Sequence, residues 1–282
     1  MIDPGLDGRV AVITGANQGI GAAVARSLAA QGVRTFLTYL RTRTDDDSLP
    51  EAYHLARARA ADEVVASIRA ARFDNFVDSI RSAGGSAAAM EADLLDVTAP
   101  GRIFDAAEAA FGPVEILVNN ASGWLADTFL DSRADGFGRS LRPVDAEGFA
   151  QLFGVDARAA ALLIAEFARR HLERGASWGR IIGLTSGGPE GFPGEVTYGA
   201  AKAAQENYTM TAARELGKHG VTANMVHPPV TDTGWITDEV RESIPSWSPL
   251  GTVAMPDEVA EVITFLASHQ GRHVTGQRIQ MF

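Results

Sequence analysis

The stretch Val10-Ala11-Val12-Ile13-Thr14-Gly15-Ala16-Asn17-Gln18-Gly19-Ile20-Gly21 decides how the rest of the chain is read. Its first five residues form a short apolar, β-branched run, the composition of a strand covered on both faces. Glycines at 15, 19 and 21 let the backbone turn sharply, and the alanine-rich residues up to Gln31 read as a helix that begins at the turn. Such a strand, turn and helix aims backbone N–H groups at whatever sits before the positive end of the helix, and a pyrophosphate suits them. A glycine-rich turn also serves as a tight connection without a ligand, so neighbouring sequence has to decide between the two.

Moving outward, the alternation continues. Residues 10–14, 35–39, 87–91, 116–119, 181–184, 222–226 and 277–280 read as strands, and 19–31, 62–83, 99–111, 146–174, 197–218 and 256–267 as helices. That order predicts an α/β fold, a Rossmann-type doubly wound parallel sheet between two helical layers, with 1–282 as one domain. Two stretches exceed what this minimal fold needs. Residues 41–72, with Asp45-Asp46-Asp47 and Pro50, and residues 123–143 are expected as insertions, the second a long loop on the active-site side.

Composition narrows the function. With 25 basic and 35 acidic residues the net charge is −10, which disfavours nucleic acid as a partner. The absence of cysteine excludes disulfides, thiolate nucleophiles and cysteine-ligated metals, so redox chemistry has to come from a bound cofactor. Residues 1–8 carry no basic stretch, and 10–13 is too short for a signal sequence. The apolar stretch 157–168 is broken by Arg158 and Glu166, so no membrane partner is expected and a cytoplasmic location is. His269 and His273 have helical spacing, but Gly271 between them makes them loop residues and not metal ligands.

Tyr198 and Lys202, in a chain with only two lysines and four tyrosines, lie four residues apart on one helix face. The ammonium favours tyrosinate, which lowers the tyrosine pKa and makes a general acid/base. The row Gly183-Leu184-Thr185-Ser186-Gly187 lacks the G-x-S-x-G elbow of a hydrolase, so an acyl-serine mechanism is disfavoured.

Thr14-Gly15-x-x-x-Gly19-x-Gly21, then Asp93-Leu94, Asn119-Asn120-Ala121-Ser122 and Tyr198-x-x-x-Lys202, in that order, resemble the short-chain dehydrogenase/reductase family, including 3-oxoacyl-ACP reductase-like members. The resemblance spans nearly the whole chain. It implies a nicotinamide dinucleotide held by Gly15, Asn17, Gln18, Gly19, Ile20, Gly21, Asp93, Leu94, Asn120 and Ala121. Tyr198 then moves the proton, while Lys202 depresses its pKa and binds the nicotinamide ribose. The family's substrate-polarising hydroxyl falls on Thr185 by count, or on Ser186 if one loop residue is deleted; Ser186 is favoured and Thr185 stays open. Asp156 stands where the family has a helix asparagine that organises a relay water. His227-Pro228-Pro229-Val230-Thr231-Asp232-Thr233 resembles the family's P-G-x-x-x-T with Pro229 for glycine, which assigns Val230 and Thr233 to the nicotinamide carboxamide. The family also implies a homotetramer, or a homodimer, through helices 146–174 and 197–218.

Residues 35–41 end the second strand without an acidic residue for a ribose diol, while Arg41 and Arg43 suit a 2′-phosphate, so NADP(H) is favoured over NAD(H). Seven large apolar residues, Trp124, Leu125, Phe129, Trp235, Ile236, Ile244 and Trp247, are expected to flank the cleft, the last four on a substrate lid at 231–252. Trp124, Trp235 and Trp247 are the expected substrate contacts. The reading is an NADP(H)-dependent oxidoreductase that moves a hydride between nicotinamide and a carbonyl or secondary alcohol, with a bulky apolar ketone or 3-oxoacyl compound as substrate. Its rivals are a nucleotide-binding regulatory or scaffold protein, and a lyase or epimerase that uses the bound nucleotide without net turnover.

Overall fold

A computed structural model describes residues 3–42, 48–70, 86–188, 190–246 and 248–282. Helix α1 (Gly19–Ala30) follows β1 (Val10–Thr14), and β2 (Arg34–Tyr39) leads to α2 (Glu51–Arg57) and α3 (Asp62–Ala70). Next come β3 (Ala87–Glu91), α4 (Ala99–Phe111), β4 (Ile116–Asn119), β5 (Asp127–Thr128) and β6 (Arg142–Pro143). Helix α5 (Ala146–Leu152) runs through a π-helical stretch, Phe153–Ala159, into α6 (Ala160–Glu173). The remainder is β7 (Gly179–Leu184), α7 (Val196–Leu216), β8 (Val221–His227), α8 (Asp238–Ser243), α9 (Pro256–Ala267) and β9 (Arg278–Gln280).

Seven strands form one parallel sheet in the order β3-β2-β1-β4-β7-β8-β9. The order reverses between β1 and β4, so the loops after these two strands diverge and open a crevice at their carboxyl ends. Alternate residues of β1 feed two cores. Ala11 and Ile13 join Val24 and Leu28 of α1 and Ile263 and Leu266 of α9, whereas Val10 and Val12 join Ile103 and Phe104 of α4 and Leu163 and Phe167 of α6. With both faces covered, the β1 run has no polar side to show, which is why it reads as continuously apolar.

Helix ends follow local chemistry. Asp145 Oδ1 accepts from the Gly148 N–H (2.8 Å) at the start of α5, and Glu258 Oε2 accepts from the Met255 N–H (2.7 Å) before Pro256 opens α9. Gly112, at φ +89°, stops α4.

The structure bears on three expectations. The helix expected at 62–83 is described only as α3, and residues 71–85 lie outside the described residues. The insertion after β2 holds a separate short helix, α2, because Pro50 pre-sets its first turn. The single helix expected over 146–174 contains a π-helical interruption, and Asp156 on it is buried, accepting the Gly123 N–H at Oδ2 (2.9 Å). Such widened turns recur at functional sites. By length and apolar content Ala146–Glu173 could cross a bilayer, but half of its most apolar window is buried in the fold and Asp156 pairs with Lys202, so it is a core helix.

Candidate active site

The crevice at the strand ends is a cavity of about 1060 Å³. It runs from Gly15, Asn17, Gln18, Gly19 and Ile20 past Asp93, Leu94, Asn120 and Ala121 to Ser186, Tyr198, Lys202, Val230 and Thr233. One continuous wall therefore carries nearly all the expected cofactor and catalytic residues. Gly21 is absent from that wall; it packs beneath the turn, against Gly15 and Asn120.

The first turn is shaped for a close ligand. Gly15 and Gly19 have φ of +65° and +52°, and a Cβ at Gly15 would stand 2.8 Å from Ala121 Cα. Only glycine fits there without strain. The Asn120 side-chain amide donates to the Thr14 and Gly15 carbonyls (2.9 and 3.0 Å), and Thr14 Oγ1 accepts from the N–H groups of Asn120 and Ala121 (3.0 Å each). Asn120 thus staples β4 to the turn after β1. The cradle, with free α1 amides facing a cavity of this length, fits a dinucleotide.

At the other end Lys202 is sealed from solvent. Its Nζ donates to Leu184 O and Gln205 Oε1 (3.0 Å each) and lies 3.1 Å from Asp156 Oδ1, an ion pair outside good hydrogen-bonding alignment. Tyr198 lines the cleft, half-buried, with the hydroxyls of Ser186 and Ser122 as its side-chain hydrogen-bond partners. Ser186 and Thr185 both line the cleft but have different partners. Thr185 is buried and donates to Glu206 Oε1 (2.5 Å), whereas Ser186 faces Tyr198.

One expectation reverses. Burial raises the Tyr198 pKa well above the ordinary tyrosine value, and the carboxylates of Asp156 and Glu195 raise it further. Sequence spacing names Lys202 as the depressing charge, but Asp156 pairs with that charge at close range. Tyr198 is held protonated.

The outer wall is aromatic. Arg139 pairs with Asp135 (2.7 Å) and Glu195 (2.9 Å), and its guanidinium carbon stands 5.4 Å from the ring centroids of both Trp124 and Trp235. The Trp124 indole also donates to Glu195, and burial raises that carboxyl's pKa. Of the seven apolar residues expected around the cleft, Trp124 and Trp235 line it. Ile244 is buried in the fold, Phe129 is 80% exposed, and Leu125 packs with Leu152 and Ala201. Ile236 is absent from the wall, and Trp247 lies outside the described residues. Alternation along a loop does not say which side faces inward, so apolar residues there were overcounted.

Arg41 is paired within the protein. Glu91 clamps it through Nε and Nη2 (3.0 and 2.6 Å), and it is not part of the cleft wall. Arg43 lies outside the described residues. Sequence reading missed Ser122, Glu195, Arg139 and Asp127. Asp127 Oδ1 accepts the Thr197 N–H (2.9 Å) and so anchors the first turn of α7 beside Tyr198. Ser122 had a signal, since a hydroxyl replaces glycine in its motif.

A doubly wound sheet with a phosphate cradle at its switch point and a Tyr, Ser and Lys cluster at the far end defines a nucleotide-dependent oxidoreductase. The family model described as enoyl-(acyl carrier protein) reductase matches residues 51–281. An uncharacterised oxidoreductase of Bacillus subtilis, YjdA, is 33% identical over 274 residues, covering 96% of this chain and 94% of that protein. A probable tetrahydroxynaphthalene reductase of Zymoseptoria tritici is 31% identical over 291 residues, covering 97% and 93%. The crystal structure of a short-chain dehydrogenase from Burkholderia cenocepacia in complex with NADP superposes with a TM-score of 0.77 at 28% identity, covering 98% and 97% of the two chains. The chain belongs to the short-chain dehydrogenase/reductase family.

Proposed function

We propose that the protein is an NADPH-dependent reductase of a bulky, flat, apolar ketone. One observation carries the reading: the Tyr198 hydroxyl, held protonated, has Ser186 as a hydrogen-bond partner in a cleft that Trp124 and Trp235 also line. When bound, NADPH supplies the hydride. The remaining work belongs to the chain.

Ser186 Oγ and Tyr198 Oη converge on the place of a substrate oxygen, where both donate as negative charge develops. Tyr198 gives up its proton to that oxygen, and a raised pKa keeps it protonated across neutral pH, the form that reduction uses. Lys202 faces this pair from behind, tied to the end of β7 through Leu184 O. Val230 and Thr233 line the same cleft, Thr233 packing beside Gly19 of the phosphate cradle, and would hold the nicotinamide carboxamide. Planar indoles suit a fused-ring substrate, and the fungal relative is named for a naphthalene.

The test is loss of the reduced-nicotinamide absorbance with a panel of polycyclic aromatic, aliphatic and 3-oxoacyl ketones. Tyr198→Phe should retain NADPH affinity and lose at least roughly two orders of magnitude in turnover. Turnover close to the parent's in that variant, or no NADPH consumption with any ketone, would reject the reading.

A further inference from the structure

We propose that Arg57, on the inserted helix α2, is the residue that receives the 2′-phosphate of NADPH. The inference rests on the NADPH reading above and adds a binding residue to it.

The argument starts from charge. Among the described residues, the permanent cations on the cleft wall are Arg57, Arg139 and Lys202. Arg139 faces Asp135 and Glu195, and Lys202 faces Asp156, so their charges are answered within the protein. Among the described residues, Arg57 has only neutral partners: its Nη1 donates to the Tyr53 hydroxyl (3.0 Å), its Nε to Thr42 Oγ1 (3.3 Å), and its guanidinium stands 5.5 Å from the Tyr53 ring. Two side-chain oxygens and a ring hold this cation in place, and no described carboxylate pairs with it.

Its place along the cleft fits. The pyrophosphate cradle lies at Gly15 to Ile20, and Asp93 and Leu94 mark the adenine end, so the adenosine ribose lies between them, over the carboxyl end of β2. Leu40 and Thr42 line that point, and the Thr42 N–H donates to Arg57 O (3.3 Å). The helix is docked onto the cradle itself, because Asn17 Nδ2 donates to Arg59 O (3.0 Å) just beyond it. Arg41, nearer in sequence, has its charge spent on Glu91 and lies outside the wall. The insertion thus carries the cation that the strand end does not present.

Dissociation constants for NADPH and NADH, read from quenching of tryptophan fluorescence, test this on the parent, Arg57→Ala, Arg57→Lys and Arg41→Ala. Arg57→Ala should weaken NADPH by roughly 10- to 100-fold, the scale of a charge-assisted phosphate contact, and leave NADH within about threefold. Arg57→Lys should recover part of the loss, and Arg41→Ala should change NADPH by less than about threefold. An unchanged NADPH constant in Arg57→Ala, or equal losses for both cofactors, overturns the assignment. Equal affinity of the parent for both cofactors would instead overturn the NADPH reading, so the two failures are distinguishable. Should Arg57→Ala not fold, Arg57→Lys decides: its planar fork is gone, and an NADPH constant identical to the parent's rejects a bidentate phosphate contact.

Discussion

Lys202 Nζ and Asp156 Oδ1 lie 3.1 Å apart, both side chains sealed from water, one on α7 and the other on the π-helical stretch before α6. The pair couples the acid/base chemistry to the stability of the helix layer. Asp156→Ala leaves a buried unpaired ammonium and should cost about 3–5 kcal/mol in chemical denaturation. Asp156→Asn keeps a polar acceptor and should cost less.

The same pair sets a pH dependence. Asp156 raises the Tyr198 pKa, so removing its charge lowers that pKa and frees the field of Lys202. Tyr198 acts as an acid in reduction, and the rate falls as it deprotonates. The alkaline limb of kcat/KM for ketone reduction should therefore move to lower pH in Asp156→Asn, with the acid side unmoved. An unshifted limb would show that Asp156 does not act on the tyrosine.

Arg139 holds Trp124 and Trp235 as two plates at the cleft mouth. Arg139→Met and Trp235→Ala should each raise KM for bulky ketones by roughly tenfold, about 1.4 kcal/mol, equivalent to losing about 55 Å² of apolar contact at ~25 cal/mol per Å². NADPH affinity should hold. Small hydrophilic ketones turned over best by the parent would contradict the aromatic wall as a substrate surface.

Arg180 is 2% exposed on β7, stacked 4.3 Å from the Trp178 ring, with Nε unpartnered, and burial pulls its pKa down to about 10. The side chain is still charged at neutral pH, so the folded state carries the cost of burying that charge. Arg180→Met removes that penalty at similar volume and should raise Tm by roughly 2–4 °C per kcal/mol recovered. A lowered Tm would mean that the stacking outweighs the desolvation.

Phe149, Leu162 and Tyr208 leave large apolar areas exposed on α5, α6 and α7. These are the helices through which assembly is expected, and light scattering should report a four-chain or two-chain particle. Leu162→Arg should dissociate it, whereas a monomeric parent would remove the basis for the assembly.

The sheet was legible in the chain because its evidence is local. A β-branched run buried on both faces, a turn that tolerates only glycine at Gly15, and a Tyr and Lys one helical turn apart all report themselves within a few residues. The partners of charged groups were not legible, because they are chosen across long sequence distances. The strand-end sequence offers Arg41 to a phosphate, and only the fold shows Glu91 on the neighbouring strand paired with it. Lys202 was given the tyrosine, but Asp156 shares its burial and answers its charge. Whether Ser186 or Thr185 faces Tyr198, and which apolar loop residues turn inward, depended on how β7 meets α7 and how two loops pack together. Burial and pairing belong to the folded neighbourhood of a side chain, and spacing along the chain does not encode them.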